Sequence, residues 1–456
     1  MNTNQLHKMI RLSLCGVMAA GVFAFGTPDA FAAAKTPGQQ PSYQTVTETF
    51  DWGPSVSKVI VNLGEIRRAE EVKASDYTVH VKRELAEGAM SVAEFVAQKN
   101  SGRNVILGSQ TTSSKDLEGN RQITKAYVSD AKGNAVKKGE YVTIEMAVSP
   151  TDTLGAALNF DLRSSYNDWV NPHYTITEKR AGKSVVVDNK QGDIRPQADK
   201  FKYSVIGLPD RTSFPIASYE PQDKEKHPLI IWLHGMGEGG NSPSVPIMGN
   251  KATAFAEKNI QDYFGGAYVL APQARTYWMH GYEGFADGTS IYSKSLMQAI
   301  HAYVEAHPNV DKSRIYVGGD SNGGYMTMLL VRDNPGYFAA AFPTCEGLKD
   351  SLISEQDLKN IADTPIWFTA AKTDTVLPPQ DYSVPTAARL QKAGAEVHFS
   401  FFDNVVDRTG LYKKADGTPY EYAGHWSWIY VYNDQCEDTI DGKPVKLFQW
   451  MARQHR

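Results

Sequence analysis

Residues 314–331 have the sequence Arg-Ile-Tyr-Val-Gly-Gly-Asp-Ser-Asn-Gly-Gly-Tyr-Met-Thr-Met-Leu-Leu-Val, with a Gly-x-Ser-x-Gly motif at 319–323. The apolar start predicts a strand and residues 324–331 predict a helix, so Ser321 is expected in the sharp turn between them. Small residues two positions away on either side permit such a turn. It would raise the Ser321 hydroxyl above the sheet at a helix N-terminus, where positive potential favours developing negative charge. The pattern predicts a nucleophile; an ordinary serine in a glycine-rich turn is the alternative.

A serine nucleophile needs a general base, because its hydroxyl is weakly nucleophilic near neutral pH. In a strand–turn–helix site the chain order is serine, acid, histidine. Three histidines follow Ser321, namely His398, His425 and His455. His398 lies inside a predicted strand and His455 is the penultimate residue. His425 follows the last predicted main strand and precedes a helix, so we predict it as the base; a capping or surface role is the alternative.

The acid of such a site orients the imidazole and stabilises its charged form. Asp374 follows the predicted strand 365–370, and this architecture keeps catalytic groups at the carboxyl ends of strands. We therefore predict Asp374 as the acid. Three later aspartates are rivals, each also suited to ordinary turn chemistry: Asp381, Asp403 and Asp407.

Acyl transfer also requires hydrogen-bond donors directed at the oxygen that becomes negatively charged. The backbone N–H of Asn322 is one candidate, because it directly follows the nucleophile. The second is expected from the loop His-Gly-Met-Gly-Glu-Gly-Gly at 234–240, whose glycines let the backbone approach substrate. We assign it to the N–H of Met236, and predict that His234 braces the loop. The loop lacks the features of phosphate-binding motifs.

The chain after about residue 195 alternates short apolar strands with helical stretches. Such alternation predicts a mostly parallel sheet with helices on both faces. Together with the nucleophile turn, it predicts an α/β-hydrolase domain over residues 195–456. The predicted strands are 229–233, 267–271, 314–317, 338–342, 365–370 and 396–402, and the predicted helices are 292–306 and 324–331.

Residues 44–194 are predicted to form a separate all-β domain. Short segments rich in β-branched residues are separated by Gly-Pro, Gly-Asn and Asn-Pro pairs, as in a sandwich of immunoglobulin-like type. Residues 91–98 are predicted as a helical insertion. The strand segments are 56–63, 77–81, 123–128 and 141–148.

The first 32 residues have the features of an export signal. A positive start, an apolar run and a small-x-small cleavage site occur in order at Lys8 and Arg11, at 12–25, and at Ala30-Phe31-Ala32. The run is too short to span a bilayer comfortably. A lipoprotein signal at Cys15 is weaker, because Leu14 stands where a small residue is wanted. We predict a secreted or periplasmic protein cleaved near Ala32, with residues 33–43 as a flexible linker.

The composition is that of a folded globular protein. A net charge of −4 gives no electrostatic reason to bind nucleic acid or an anionic membrane. No metal-ligand spacing or nucleotide motif appears, so neither a metal nor a cofactor is expected. Export permits a disulfide between Cys345 and Cys436, the two cysteines after the signal. Two separate buried thiols are the other possibility, since sequence does not give their separation.

Four motifs in this order resemble those of bacterial secreted esterases with an immunoglobulin-like N-terminal domain, some of which are called predicted peptidases. They are His-Gly-Met-Gly at 234–237, Gly-Asp-Ser-Asn-Gly at 319–323, Asp374, and Gly-His-Trp at 424–426. The catalytic half is similar to polyhydroxybutyrate depolymerases and feruloyl esterases. The resemblance implies carboxylesterase activity on short to medium acyl chains without a cofactor.

The resemblance extends over nearly the whole mature chain. It includes Asp-Trp-Gly-Pro at 51–54 and Leu-Ala-Pro-Gln at 270–273, with Trp278 shortly after. Two features fit the family pattern less well. The acidic Glu346 stands where a small residue is expected, and residues 436–445 look like an insertion. Both bear on the shape of the substrate pocket.

Several residues near the predicted loops are candidates for the lining of that pocket. These are His234, Gly235, Trp278 and Trp426, and for each tryptophan a place in the core or at the rim is the alternative. Glu238, beside the predicted oxyanion loop, is expected either to point to solvent or to repel anionic substrates.

The leading functional hypothesis is a secreted serine carboxylesterase acting on small-molecule or polymer-linked esters. A serine peptidase with the same catalytic groups is the nearest rival. A binding protein that works through its immunoglobulin-like domain belongs to a different class. Neither a nucleic-acid partner nor stable membrane insertion is expected. Shielding of the active site, oligomerisation and polymer binding are the candidate roles of the N-terminal domain.

Overall fold

The structure is a computed structural model that describes residues 40–85, 117–161 and 164–456. The predicted export signal at 1–32 and the predicted helical insertion at 91–98 lie outside these residues. The first strand, Ser42–Phe50, begins inside the stretch predicted as linker, and Tyr43 is already buried. The folded domain therefore starts slightly before residue 44.

The N-terminal domain is a sandwich of two mainly antiparallel sheets with a shared apolar core. Its strands are β1 (Ser42–Phe50), β2 (Gly53–Arg68), β3 (Tyr77–Glu84), β4 (Glu118–Arg121), β5 (Ile123–Ser129), β6 (Lys138–Met146), β7 (Leu158–Asp161), β8 (Tyr166–Trp169), β9 (Asn171–Arg180), β10 (Lys183–Val187) and β11 (Lys190–Ile194). One sheet has the order β11-β1-β2-β6-β5 and the other β10-β9-β3-β4. Along β3, Tyr77, Val79 and Val81 are buried while Thr78 and Lys82 are exposed, as a half-buried strand requires. The immunoglobulin-like prediction is confirmed, and β7 and β8 form a separate hairpin.

The C-terminal domain is built on one eight-stranded sheet. Its strands are β12 (Lys202–Gly207), β13 (Ser213–Tyr219), β14 (His227–Leu233), β15 (Tyr268–Pro272), β16 (Val310–Asp320), β17 (Ala340–Thr344), β18 (Ile366–Ala371) and β19 (Val397–Phe402). The order is β12-β13-β15-β14-β16-β17-β18-β19, and the strands from β15 onward are parallel. All six strands predicted in this half are present. The antiparallel strands β12 and β13 were not predicted. Most residues of β12 are exposed and it lacks an apolar run, whereas β13 is largely buried.

Helices cover both faces of this sheet, which confirms the α/β-hydrolase architecture. They are α1 (Val245–Met248), α2 (Lys258–Gln261), α3 (Ser293–Ala306), α4 (Asn322–Asp333), α5 (Glu355–Ile361), α6 (Ser383–Lys392), α7 (Trp428–Tyr432) and α8 (Leu447–Met451). One core lies between the sheet and α3 and α4, and the other between the sheet and α7 and α8. Every residue of β14 is buried, as expected for a strand covered on both faces. Among the described residues, no helix has both the length and the apolar character needed to cross a bilayer.

Two short hairpins complete the C-terminal domain. The strands β20 (Val405–Val406) and β21 (Glu421–Tyr422) form one, and β22 (Glu437–Ile440) and β23 (Lys443–Lys446) form the other. The second hairpin accounts for the apparent insertion at 436–445. Cys345 and Cys436 are both free and buried, and the Cys436 sulfur lies 3.5 Å from the Thr369 hydroxyl. Of the two possibilities left open by the sequence, the structure has separate thiols.

The two domains share a close interface near the end of β1. The last strand of the sandwich ends at Ile194 and β12 begins at Lys202, on either side of the predicted boundary at 194/195. The Lys251 ammonium donates to the Asp51 carboxylate over 2.7 Å, and the Asn433 amide donates to the same carboxylate. These contacts join the Asp-Trp-Gly-Pro segment to the catalytic domain.

Candidate active site

The parallel register brings the predicted catalytic loops to one edge of the sheet. Leu233 at the end of β14 is the partner of Gly319 on β16, and Asp320 is the partner of Thr344 on β17. The loop after β14, the turn after β16 and the loop after β18 therefore lie side by side. This is the carboxyl edge of the strands, where open α/β sheets place their ligands.

Ser321 occupies a strained turn between β16 and α4. Its backbone has φ of 53° and ψ of −112°, a conformation that a residue with a Cβ rarely adopts. The Ser321 N–H donates to the carbonyl of Thr344 over 2.9 Å, which holds the turn against β17. Glycine is required two residues later, because a Cβ on Gly323 would overlap the carbonyl group of Leu233. The predicted turn is therefore present, with the steric reason expected for its glycines.

The structure brings Ser321, His425 and Asp374 together as a connected chain of side chains. The Ser321 hydroxyl lies 2.9 Å from His425 Nε2, and His425 Nδ1 lies 2.8 Å from Asp374 Oδ2. The other carboxylate oxygen, Asp374 Oδ1, accepts the N–H groups of Val376 and Leu377 over 2.8 and 3.0 Å. Asp374 is 3% exposed and His425 is 8% exposed. The geometry is that of a serine nucleophile, its base and a carboxylate that orients the base.

The rival acids and bases lie elsewhere. Asp403 is exposed and pairs with Lys372, and Asp407 is buried and holds its own loop by accepting from Thr409 and Gly410. Asp381 is exposed in a 3-10 turn. His398 pairs with Asp438 on the β22–β23 hairpin, and His455 is exposed.

The two predicted oxyanion donors belong to adjoining segments. Asn322 begins α4, and Met236 begins the 3-10 turn Met236–Glu238. The first N–H groups of a helical turn have no partner within the turn, so they are free to meet a substrate oxygen. The Asn322 side chain is occupied separately, because its Oδ1 accepts the N–H of Met279 over 2.9 Å.

His234 and Trp278, named as candidate pocket residues, are instead internal, with exposures of 1% and 0%. His234 Nε2 accepts the N–H of Ala274 over 3.0 Å, and its Nδ1 lies 2.6 Å from the carbonyl of Gly235. Burial lowers the pKa of His234 to about 4, so it is neutral and braces the loop. Trp278 packs between Phe214, His234 and Tyr292. For Trp278 the structure therefore selects the core, which the sequence analysis left as the alternative to the pocket lining.

The remaining pocket candidates have different settings. Trp426 is half-buried and stacks between Tyr422 and Trp428 beside His425. Gly235 is buried within the glycine-rich loop 234–240. Sequence reasoning missed Met279 and Leu377, whose side chains approach Gly347 next to the carbonyl of Ser321.

Three buried carboxyl groups surround this site. Glu238 was expected to point to solvent or to repel anionic substrates; it is 3% exposed, and its Oε1 accepts the Asn167 amide over 2.8 Å. Burial raises the pKa of Glu238 to about 7 and that of Asp320 well above its usual range. Glu346 is 1% exposed, and burial raises its pKa to about 8. The sequence shows these acidic residues next to glycine-rich segments. It does not show that their side chains are buried, because their burial depends on the neighbouring domain and strands.

Across residues 40–85, 117–161 and 164–456, no group of three or more His, Cys, Asp or Glu side chains is arranged to hold a metal ion. The described residues have the α/β-hydrolase fold, preceded by an immunoglobulin-like domain.

Comparison with known proteins agrees with this class. Residues 42–186 match the esterase Ig-like N-terminal domain, and residues 292–346 match the prolyl oligopeptidase family. The fold of a thermostable esterase is similar, with a TM-score of 0.69 and 22% identity, over 91% of this chain and 100% of that chain. The resemblance to esterases with an immunoglobulin-like N-terminus is thus confirmed at the level of fold. No curated protein matches the chain.

Two further solved structures match with lower TM-scores. A ferulic acid esterase has a TM-score of 0.36 and 14% identity, over 45% of this chain and 90% of that chain. A Pyrococcus horikoshii acylaminoacyl peptidase has a TM-score of 0.34 and 15% identity, over 51% of this chain and 40% of that chain.

Proposed function

We propose that the protein is a serine carboxylesterase that hydrolyses short to medium acyl or aromatic esters through an acyl-enzyme. The observation that carries this proposal is the chain of contacts at 2.9 and 2.8 Å from Ser321 through His425 to Asp374. The match of residues 42–186 to an esterase N-terminal domain favours esters as the substrate class.

In the proposed mechanism, Ser321 Oγ attacks the ester carbonyl carbon while His425 Nε2 accepts the hydroxyl proton. The negative charge on the carbonyl oxygen is stabilised by the backbone N–H groups of Met236 and Asn322. The intermediate then collapses: the carbon–oxygen bond to the alcohol breaks, and His425 returns the proton to the leaving alcohol. Water then attacks the acyl-enzyme in the same way, with His425 as the base, which releases the carboxylic acid and restores Ser321.

Replacing Asp374 by asparagine is expected to reduce kcat by about 10⁴-fold. An amide can present its N–H₂ to His425 Nδ1, which would favour the tautomer that carries its proton on Nε2 and cannot accept the Ser321 proton. Steady-state kinetics on an activated ester measure the effect. Asp381→Asn, an exposed rival seven residues later, serves as the control and should retain activity. Equal losses in both variants would contradict the assignment of Asp374.

A serine peptidase is the second candidate, because residues 292–346, which include the nucleophile turn, match the prolyl oligopeptidase family. The same three side chains could form an acyl-enzyme from an amide. The two functions differ in the leaving group, since an amine must be protonated to leave whereas an activated alcohol leaves readily.

The experiment that separates them compares esters with matched amides. Purified residues 33–456 would be assayed on p-nitrophenyl esters with acyl chains of increasing length, and on p-nitroanilides carrying the same acyl groups and short peptides. Hydrolysis of esters with a preference for shorter chains is the expected result. Preferential cleavage of the peptide anilides would establish the peptidase, and absence of hydrolysis together with no labelling by a fluorophosphonate would refute both.

We also propose that the protein is exported, on the basis of the N-terminal signal pattern at 1–32. An exported enzyme meets both soluble and polymer-linked esters. Cell fractionation with N-terminal sequencing of the mature protein tests this: a start near Ala33 supports export with cleavage, and an intact N-terminus in the cytoplasmic fraction contradicts it.

A further inference from the structure

Two buried carboxyl groups approach the same point beside Gly235 in the proposed oxyanion loop. A Cβ placed on Gly235 would lie 2.8 Å from Asp320 Oδ2 and 2.9 Å from Glu238 Oε2, so the groups flank one point. Glu238 belongs to the turn that begins with Met236, and Asp320 immediately precedes Ser321. The pair therefore joins the two segments that carry the proposed oxyanion donors and the nucleophile.

The pair is surrounded by neutral hydrogen-bond donors. The Asn250 amide donates to Asp320 Oδ2 over 3.0 Å, and the Asn167 amide on β8 donates to Glu238 Oε1 over 2.8 Å. Asp320 Oδ1 is buried without a hydrogen-bond partner. No ion pair to either group occurs in the described part of the chain. Two adjacent carboxylates without a cation would be strongly unfavourable there, because burial removes the water that would otherwise separate their charges.

We propose that Glu238 and Asp320 share one proton at neutral pH and act as positioning residues, holding the oxyanion loop against the nucleophile turn. Neither touches the reacting atoms; both act through the backbone of Gly235 and Met236. Asn167 makes the N-terminal domain part of this arrangement. The inference deepens the proposed function, since its kinetic consequence requires an ester hydrolase, whereas its effect on stability does not.

Burial, and for Asp320 also the charge of Glu238, raises both pKa values, while hydrogen bonds from amide and backbone N–H groups lower them. For each carboxyl group, the pKa in the folded state lies above the pKa in the unfolded state. Its contribution to the free energy of unfolding is therefore full below the unfolded pKa. That contribution is lost as the pH rises through the folded pKa, which is about 7 for Glu238. The other titratable groups facing the pair are Cys345 and Tyr432. Burial and the charges of Asp374 and Asp320 raise the pKa of Cys345, and burial and the charges of Asp320 and Glu238 raise that of Tyr432. Both therefore stay neutral where the pair titrates.

The test follows Tm and kcat from about pH 6 to about pH 9 in the wild type and in Glu238→Gln. The wild type is expected to lose Tm and about tenfold in kcat across this range, because ionisation of Glu238, followed by that of Asp320, adds buried negative charge that displaces the oxyanion loop. In Glu238→Gln, whose amide can donate to Asp320 at any pH, both losses should be much smaller. Glu283→Gln makes the same chemical change on an exposed side chain and should follow the wild type. Glu346 titrates in the same range in all three proteins, so the comparison between them isolates the pair.

A second variant keeps the test decisive if Glu238→Gln does not fold. Asn167→Ala removes a donor that favours the ionised form of Glu238, so the fall of Tm with rising pH should extend to higher pH than in the wild type. Identical pH profiles of Tm in the wild type and in every folded variant would overturn the shared proton. If the wild type hydrolyses no ester, the proposed function fails, but the Tm profiles still decide whether the pair exists. Altered Tm profiles with unchanged kcat profiles would overturn the positioning role.

Discussion

Replacing Ser321 by alanine is expected to lower kcat for ester hydrolysis by about 10⁶-fold, to a residual rate set by binding and the oxyanion donors. The variant loses the oxygen that lies 2.9 Å from His425 Nε2, so no acyl-enzyme can form. Activity on p-nitrophenyl esters measures the loss, and labelling by a fluorophosphonate should disappear with it. The fold should persist, because alanine fits the space of the half-buried serine. The substitution removes a hydroxyl group and no apolar packing contact.

Two controls make this result specific. Ser204→Ala changes an exposed serine on the edge strand β12 and should retain both activity and labelling. The Tm of Ser321→Ala should stay close to that of the wild type. If Ser321→Ala kept its activity and its label at another residue, Ser321 would not be the nucleophile.

Replacing Gly323 by alanine is expected to remove activity by a different route, through the backbone. The added Cβ would overlap the carbonyl group of Leu233, and a backbone group cannot rotate away as a side chain can. Either the nucleophile turn or the end of β14 must move, and the oxyanion loop follows directly after Leu233. We expect the free energy of unfolding to fall by about 3 kcal/mol or more, with loss of detectable hydrolysis in whatever protein folds. Thermal or denaturant unfolding and the ester assay measure the two effects.

Gly207→Ala is the matched control for that substitution. Gly207 ends the exposed strand β12, and a Cβ there would meet no atom within 4 Å. The same methyl group should therefore change stability by about 1 kcal/mol or less. A Gly323→Ala protein as stable and active as Gly207→Ala would show that the close approach of the turn to β14 is not required.

The parts of the site that could be predicted depend on local chemistry. The turn around Ser321 needs small residues at fixed positions, and the order of nucleophile, acid and base follows from the order of strands. For that reason Asp374 and His425 were selected over Asp381, Asp403 and His398, and the structure places them within hydrogen-bond distance of one another. The parallel strands could be predicted because residues buried on both faces form continuous apolar runs.

The parts that could not be predicted depend on contacts between distant segments. Glu238 looks like a surface residue in the sequence, since nothing near it suggests that Asn167 on a hairpin of the other domain will cover it. Trp278 follows a predicted catalytic segment in the chain but faces the core. The mostly exposed strand β12 lacks the apolar pattern that would indicate a strand, because its pairing with β13 at the sheet edge is made by backbone hydrogen bonds.

For this protein, the sequence alone determined the two-domain architecture and the nucleophile turn. It also determined which three side chains, those of Ser321, His425 and Asp374, form the hydrogen-bonded chain. Each of these depends on residue types at short spacing or on the periodicity of apolar residues, which a single chain displays directly. Only the tertiary structure decided which side chains are removed from water. Burial set the neutral state of His234 and the raised pKa values of Glu238, Asp320 and Glu346. Burial is a property of packing between segments far apart in the chain, so it exists only once the domains have come together.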